Sequence, residues 1–486
     1  MKLNSQYKLL PFRFFRMDKK ILLVNEVGEY YFIDEIPFKK LIKHQPLNNL
    51  DLLRDLKSRF FIADSNLHEY IELLAIKYRT KKSFLYDFTS LHIIVLTLRC
   101  NHKCDYCHVA SISSYDRQFD MDIATAKNCV NTILNSPSNS IKIEFQGGEP
   151  LLNFETLKYI VEYTNEKNTQ INKNIEYVIS TNLTTLTPYQ FDYIKKNNIL
   201  ISTSLDGPEN IHNHHRKLIN GKNSYQIVKE KLQWLIDEGY GSNISALMTT
   251  TSDSLTNIKK IVDEYIKLKL RNIFIRDMNY FGRAKINYEN LKYSIFSFVK
   301  AYKEAFNYIL ELNKSGIYFR EVYASILLKK ILTPYSTGFV DLQSPSGAGI
   351  SVAVYNYNGD VFVSDEARML YPKGSNLFKL GNVNIDDFQT IFNSKKLKYI
   401  VSRTTISALP KCAFCVFMPY CGIDPIRNYD KYGTIDGSRI SDRNCYKNRE
   451  LFKFLFNFIG NNDEDIINIF WSWLSNKAIS EIMITN

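Results

Sequence analysis

The chain has 486 residues, with 62 lysines and arginines against 50 acids (net charge +12), 45% apolar and 23% charged residues. Its 32 tyrosines and 31 phenylalanines exclude a disordered chain, and at ~150 residues per domain the length suggests about three domains. No stretch of ~18 apolar residues exists, which argues against a membrane-spanning helix, and the basic residues form no run or stripe of the kind that binds nucleic acid.

The N-terminus, MKLNSQYKLLPFRFFRMDKK, lacks the apolar core of a secretory signal. A cytoplasmic chain with reduced thiols is therefore expected, and cysteines there serve as metal ligands or catalytic groups rather than disulfides. Residues 1–85 begin with three short strand-like runs, LLPFRFF, KILLVN and EYYFID, followed by helical patterns near 36–44, 50–58 and 67–79. Strands then helices in one block predict a separate α+β module.

From residue 86 to about 335 the pattern becomes a regular alternation. Strands are predicted at 91–98, 141–145, 175–180, 199–205, 243–248 and 272–276. Helices are predicted near 121–135, 154–167, 187–197, 223–238, 254–269 and 289–313. Six β/α units in a row argue for a parallel sheet, open or rolled into a partial barrel, with ligands at the strand C-terminal ends. From 336 to 450 the texture changes: Asn358-Gly359 between two apolar runs predicts a hairpin, and a cysteine-rich loop follows. An aromatic helix pair is expected at about 446–459 and 464–476, with residues 451–486 read as a C-terminal tail.

The eight cysteines fall in two groups. Cys100, Cys104 and Cys107 form CxxxCxxC directly after the first barrel-like strand. Three thiolates on one tight loop can hold three corners of an iron–sulfur cube, leaving the fourth iron open to a small molecule. The alternative is a zinc site made by Cys104, Cys107 and His102 or His108. Cys412, Cys415, Cys421 and Cys445 form the second group, a closed four-thiolate set that suits an iron–sulfur centre or zinc. Cys129 stands alone in a helical stretch and reads as a small buried apolar residue. His212, His214 and His215 sit together and read as loop residues rather than a metal site.

CxxxCxxC with Tyr106 before its last cysteine resembles the signature of radical S-adenosylmethionine (radical SAM) enzymes, and Gly147-Gly148-Glu149-Pro150 after the second strand resembles their glycine-rich motif. The resemblance implies a partial (β/α)6 TIM-like barrel holding a [4Fe-4S] cluster and S-adenosyl-L-methionine. The reduced cluster would cleave that ligand to a 5′-deoxyadenosyl radical that abstracts hydrogen from a peptide. The implied ligand contacts are Tyr106, Gly147, Gly148, Glu149, Pro150, Thr181, Asn182, Ser204, Asp206 and Arg216. The glycines are expected to let the backbone approach the ligand, and Arg216 to grip a carboxylate. The C-terminal third resembles a SPASM domain, which usually has seven cysteines and two auxiliary clusters. Here Ser364 and Pro425 stand where cysteines are expected, so a single auxiliary [4Fe-4S] cluster on Cys412, Cys415, Cys421 and Cys445 is implied.

Several stretches, among them VDLQSPSGAGI and CVFMPYCGIDP, resemble the B-type maturase of the His-Xaa-Ser peptide system. This implies a ribosomally made precursor with His-Xaa-Ser repeats, a companion radical SAM maturase and a flavodoxin- or ferredoxin-type electron donor, without a membrane or nucleic acid. The N-terminal block resembles the winged-helix peptide-recognition element of such maturases; it either takes a leader peptide as an added strand or merely packs on the barrel. No catalytic residue is assigned from the sequence; Asp365 and Glu366, after the hairpin, are candidates for a general base. Two rival readings stand beside this one: a maturase of another substrate, such as one forming formylglycine in a sulfatase, and a zinc-stabilised nucleic-acid-binding protein.

Overall fold

The computed structural model describes residues 7–483 apart from 65, 110, 113–114 and 439–441. The N-terminal module pairs β1 (Lys8–Leu9) with β5 (Ile62–Ala63), and stacks β2 (Phe12–Arg16), β3 (Ile21–Asn25) and β4 (Tyr30–Ile33) into an antiparallel sheet. Its helices run Glu35–Ile42, Leu50–Ser58 and Leu67–Lys81. Side chains alternate across a strand, and β3 is buried on both faces for that reason. Ile21 and Leu23 join the module's own core, whereas Leu22 and Val24 join the main core. Phe15 packs on Phe417 at 5.9 Å and Tyr30 on Phe456 at 5.3 Å between ring centroids. The module is therefore packed against residues of the C-terminal third of the chain.

The main body is one ten-stranded sheet. Its parallel part consists of β6 (Leu91–Thr97), β7 (Ser140–Gly147), β8 (Asn174–Thr181), β9 (Leu200–Ser204), β10 (Ile244–Thr249), β11 (Asn272–Arg276) and the short β12 (Arg320–Glu321). All six predicted strands are present. A strand covered on both faces reads as an unbroken apolar run, and β6 is buried from His92 to Thr97. Helices on the outer face are fixed by side-chain caps, such as Asp122 accepting from the Thr125 amide at 2.7 Å and the reciprocal Thr187–Gln190 pair. Two predicted helices are broken. The stretch 254–269 divides into Ser252–Thr256 and Ile258–Lys267 around Asn257, and 289–313 into Tyr288–Leu291 and Ile295–Lys314 around an extended Lys292.

The predicted hairpin is formed by β13 (Val352–Tyr355) and β14 (Asp360–Phe362), with Gly359 at φ +85°, followed by β15 (Lys379–Asn382). It is not a separate layer. β13 pairs in parallel with β6, from Val352 beside Leu91 to Tyr355 beside Ile94, so the sheet continues across residue 336. Residue 450 lies inside the helix Arg443–Asn461, so the C-terminal tail does not begin there. That helix and Glu464–Ser475 pack their aromatic face on Ile295–Lys314, where Phe306 meets Phe454, Phe458, Phe470 and Trp473. Among the described residues no helix is long and apolar enough to cross a membrane.

Candidate active site

The C-terminal ends of β6 to β11 open on a cavity of about 280 Å³. Cys100, Cys104 and Cys107 lie on its wall, on the loop that leaves β6. That loop is tied down by backbone bonds from Cys100 to Ile112 (3.2 Å), Lys103 to Lys217 (2.8 Å) and Asp105 to His215 (3.0 Å). Cys100 and Cys104 are buried. Burial pushes both thiols up, Cys104 to about 11, and each lies in the electrostatic reach of Cys107. Two buried thiols beside a half-buried third are favoured to ionise by a bound cation, which is what the iron of an iron–sulfur cluster would supply. Of the two histidines of the zinc alternative, His102 is engaged at both nitrogens, Nε2 with Ser224 Oγ at 2.8 Å and Nδ1 with Asn101 Oδ1 at 3.3 Å, whereas His108 lines the cavity with its Nε2 2.9 Å from Asp365 Oδ2.

Gly147 and Gly148 line the same cavity, but the structure gives a further reason for them. A Cβ at Gly147 would sit 2.4 Å from the Thr97 carbonyl oxygen, and one at Gly148 would sit 2.3 Å from that of Arg99. The Gly148 amide donates to Thr97 O at 2.8 Å and the Glu149 amide to Arg99 O at 2.7 Å. The glycines therefore let the GGEP turn dock directly on the backbone that enters the cysteine loop. Glu149 is fully buried and does not reach the cavity. Its carboxylate accepts from the Leu151 amide (3.1 Å), Thr181 Oγ1 (2.7 Å) and the Asn182 amide (2.8 Å), clamping the end of β8 to the turn. Burial raises its pKa, although those three bonds oppose the shift. Pro150 starts the short helical turn behind it.

Thr181, Asn182 and Ser204 lie on the cavity wall as expected. Asn182 Nδ2 donates to Asn101 Oδ1 at 2.8 Å, which joins the β8 end to the cysteine loop. Arg216 also lines the cavity, and its Nη1 donates to the Tyr106 hydroxyl at 2.9 Å, while that hydroxyl donates to Asp206. Asp206 stands behind the wall, accepting from the Thr249 amide at 3.2 Å. Tyr106 is thus the link between the cysteine loop, Arg216 and Asp206. Of the three histidines, His214 and His215 approach Asp105 with ligand atoms within 4.8 Å. Their rings stack in parallel at 4.5 Å, so their in-plane lone pairs do not converge on one point. His212 instead bonds Ser224 at 3.1 Å.

The sequence reading missed the far wall, formed by Arg276, Asp277, Met278 and Asn279 after β11. The strand-end rule that singled out the other loops would have found it. Asp277 is buried beneath Arg443, with Nη2 to Oδ1 at 2.7 Å and Nε to Oδ2 at 3.2 Å. Burial alone would raise its pKa, but the Arg443 bond and charge outweigh it and hold Asp277 below the usual carboxylate range. Glu366 accepts from Asn279 Nδ2 at 2.8 Å, and Asp365 is held by His108 and by Arg368. Burial opposes ionisation of Asp365, yet the charges of Arg368 and His108 keep its pKa well below normal.

Cys412, Cys415, Cys421 and Cys445 also come together: burial, with Cys415, Cys445 and Cys412 as charged neighbours, pushes the Cys421 thiol up to about 12. Ser364 caps the turn Asp365–Arg368, accepting from the Ala367 amide at 3.3 Å, and Pro425 starts the helix Pro425–Tyr432. Both positions expected to hold cysteine thus do ordinary helix-capping work. Cys129 is buried in Ile123–Leu134, as expected.

Residues 94–275 match the radical SAM superfamily. The cysteine-type anaerobic sulfatase-maturating enzyme of Clostridium perfringens (strain 13 / Type A) is 26% identical over 335 residues, covering 66% of this chain and 84% of that protein. The chain spans only 60% of the length of an uncharacterised relative from Methanocaldococcus jannaschii, at 34% identity over 181 residues. Among solved structures, native anSMEcpe with bound AdoMet and Cp18Cys peptide superposes with a TM-score of 0.64 at 21% identity, covering 77% of this chain and 99% of that one. Streptococcus suis SuiB bound to precursor peptide SuiA gives a TM-score of 0.50 at 15% identity, covering 90% of this chain and 99% of that one. Residues 94–275, which carry the cysteine loop and most of the cavity wall, are thus the part of the chain that is similar to the radical SAM superfamily, a family that uses a [4Fe-4S] cluster and S-adenosyl-L-methionine.

Proposed function

We propose that this chain is a cytoplasmic radical SAM peptide maturase acting on a ribosomally made precursor with His-Xaa-Ser repeats. The observation that carries the reading is the convergence of Cys100, Cys104, Cys107 and the Gly147-Gly148 turn on one cavity at the strand ends. Cys100, Cys104 and Cys107 would hold the [4Fe-4S] cluster. Gly147, Gly148, Thr181, Asn182, Ser204 and Arg216 would face the S-adenosylmethionine. Together these cofactors supply one electron and a 5′-deoxyadenosyl radical able to take hydrogen from the peptide. Tyr106 lines the cavity and holds Arg216, while Glu149 and Asp206 act from behind it, on the β8 end and on Tyr106. Glu144 and Asp277, the latter kept ionised by Arg443, are the acids on the cavity wall. Cys412, Cys415, Cys421 and Cys445 would hold a single auxiliary [4Fe-4S] cluster, their half-buried thiols fitting a closed four-sulfur set.

The peptide class is supported by the peptide-bound anSMEcpe and SuiB structures, and the His-Xaa-Ser substrate by the stretches VDLQSPSGAGI and CVFMPYCGIDP. A companion radical SAM maturase and a flavodoxin- or ferredoxin-type donor complete the proposal. The N-terminal module is the element proposed to receive the leader. Anaerobic incubation with S-adenosylmethionine and reductant should release 5′-deoxyadenosine, and co-expression with a His-Xaa-Ser precursor should change its mass. The 84% coverage of the sulfatase-maturating enzyme favours one second reading, formylglycine formation. Conversion of a cysteine-containing sulfatase peptide, with the His-Xaa-Ser precursor left untouched, would select it.

A further inference from the structure

Three lysines converge on the four-cysteine loop from two directions. Lys81 ends the helix Leu67–Lys81 and Lys82 caps it, while Lys330 comes from the helix Val322–Leu332. All three line a narrow crevice together with Cys421. Each ammonium is anchored on a backbone carbonyl: Lys81 on Val27 at 3.2 Å, Lys82 on Ser344 and Lys330 on Leu342. Lys81 also lies 5.0 Å from the centroid of the Tyr420 ring, beside Cys421 in sequence.

None of the three has a carboxylate within ion-pair distance among the described residues. Two acids face this region. Glu26 pairs with Arg13 at 2.9 Å, and Glu29 with Lys77 at 2.7 Å. Burial pushes Lys81 down to about 7, with repulsion from Lys330 and Lys82 adding to it, and burial pushes Lys82 and Lys330 down to about 8. Three ammonium groups buried together without an acid are costly unless an anion accompanies them. The group that acts on Lys330 in the opposite sense is Cys421.

We propose that Lys81, Lys82 and Lys330 form the counter-charge of the four-cysteine centre, favouring its reduced, more negative state and so raising its reduction potential. The inference rests on the proposal that Cys412, Cys415, Cys421 and Cys445 hold a cluster. Net charge around the sulfurs is one of the determinants of cluster potential. It also gives the module a second task, since two of the three charges come from its last helix.

The test uses the full chain carrying Cys100→Ala, Cys104→Ala and Cys107→Ala, so that only the second centre is loaded. Iron analysis should give about four iron atoms per chain, and a potentiometric titration followed by electron paramagnetic resonance gives the midpoint potential. Lys330→Met and Lys82→Met should each lower the equilibrium constant for reduction about tenfold, which is a shift of about 59 mV for a one-electron couple. Lys330→Arg should restore most of it. Where Lys330→Met fails to retain iron, Lys82→Met carries the measurement, because its side chain enters from the module. Unchanged potentials at full iron content overturn the counter-charge and leave the cluster assignment standing. A Cys100/Cys104/Cys107 triple variant without iron overturns both.

Discussion

Gly148→Ala would place a methyl carbon 2.3 Å from the Arg99 carbonyl oxygen, 2.6 Å from the Arg99 carbonyl carbon and 2.6 Å from Leu98 O. These are backbone atoms, so no side chain can swing away; the turn and the strand end have to separate. Two backbone bonds cross that seam, Gly148 N to Thr97 O and Glu149 N to Arg99 O. Their loss costs about 1 kcal/mol each, and overpacking a tight site adds about 1–3 kcal/mol. The sum is about 3–5 kcal/mol, focused on the residues that lead into Cys100. For a chain of 486 residues the melting temperature should drop by about 3–5 °C. Iron should fall from about eight to about four atoms per chain, because only the first centre is displaced. Gly374→Ala is the control. Its φ of +90° makes a side chain unfavourable by about 1–2 kcal/mol, yet no atom lies within 4 Å, so iron should be retained. A Gly148→Ala protein with full iron and an unshifted melting curve would refute the docking argument.

Cys104→Ala and Cys421→Ala should each remove about half of the iron, and together nearly all of it, as measured by iron and sulfide analysis; zinc at either site would contradict the donor assignment. Arg443→Met leaves Asp277 charged and buried, with an expected loss of about 3–5 kcal/mol, read as a fall in melting temperature; adding Asp277→Asn should recover much of it. Burial raises Glu321 to about 7, against the opposing bonds from Tyr302, Ala324 and Ile275. Its folded-state pKa lies above the unfolded value, so its contribution is fully present below about pH 4.5 and is lost as pH rises through 7. At ~1.36 kcal/mol per unit, the wild-type protein should lose a few kcal/mol between pH 5 and 8, a slope that Glu321→Gln should flatten. An equal slope in both proteins would assign the effect elsewhere.

What the sequence made legible was whatever short-range pattern records. The apolar runs of β6 to β11 are local signals, and they marked the strands to within a few residues. The cysteine and glycine motifs identified one wall of the cavity for the same reason. Two-residue strands such as β1, β5 and β12 carry too little pattern to detect. The partner of the Asn358-Gly359 hairpin is a tertiary choice, and no spacing in 340–365 reveals that it pairs with β6. Glu149 looked like a ligand contact because it follows two glycines, but burial turned it into a clamp. Asp277 stands at a strand end of the kind that marks ligand sites, but its pairing with Arg443, 166 residues away in sequence, is a tertiary contact that no local pattern records.

The parallel pairing of β13 with β6 has a practical bearing on dissection of this molecule. A truncation ending near residue 335 would strip the neighbour from the strand that delivers Cys100. It would leave Ile93, Ile94 and Val95 beside a bare edge with unsatisfied amides and carbonyls, the kind of surface that recruits other chains into aggregates. Expression of a chain ending there should therefore yield inclusion bodies. The hairpin and the strand that leads into Cys100, though far apart along the chain, have to be made and folded as parts of a single sheet.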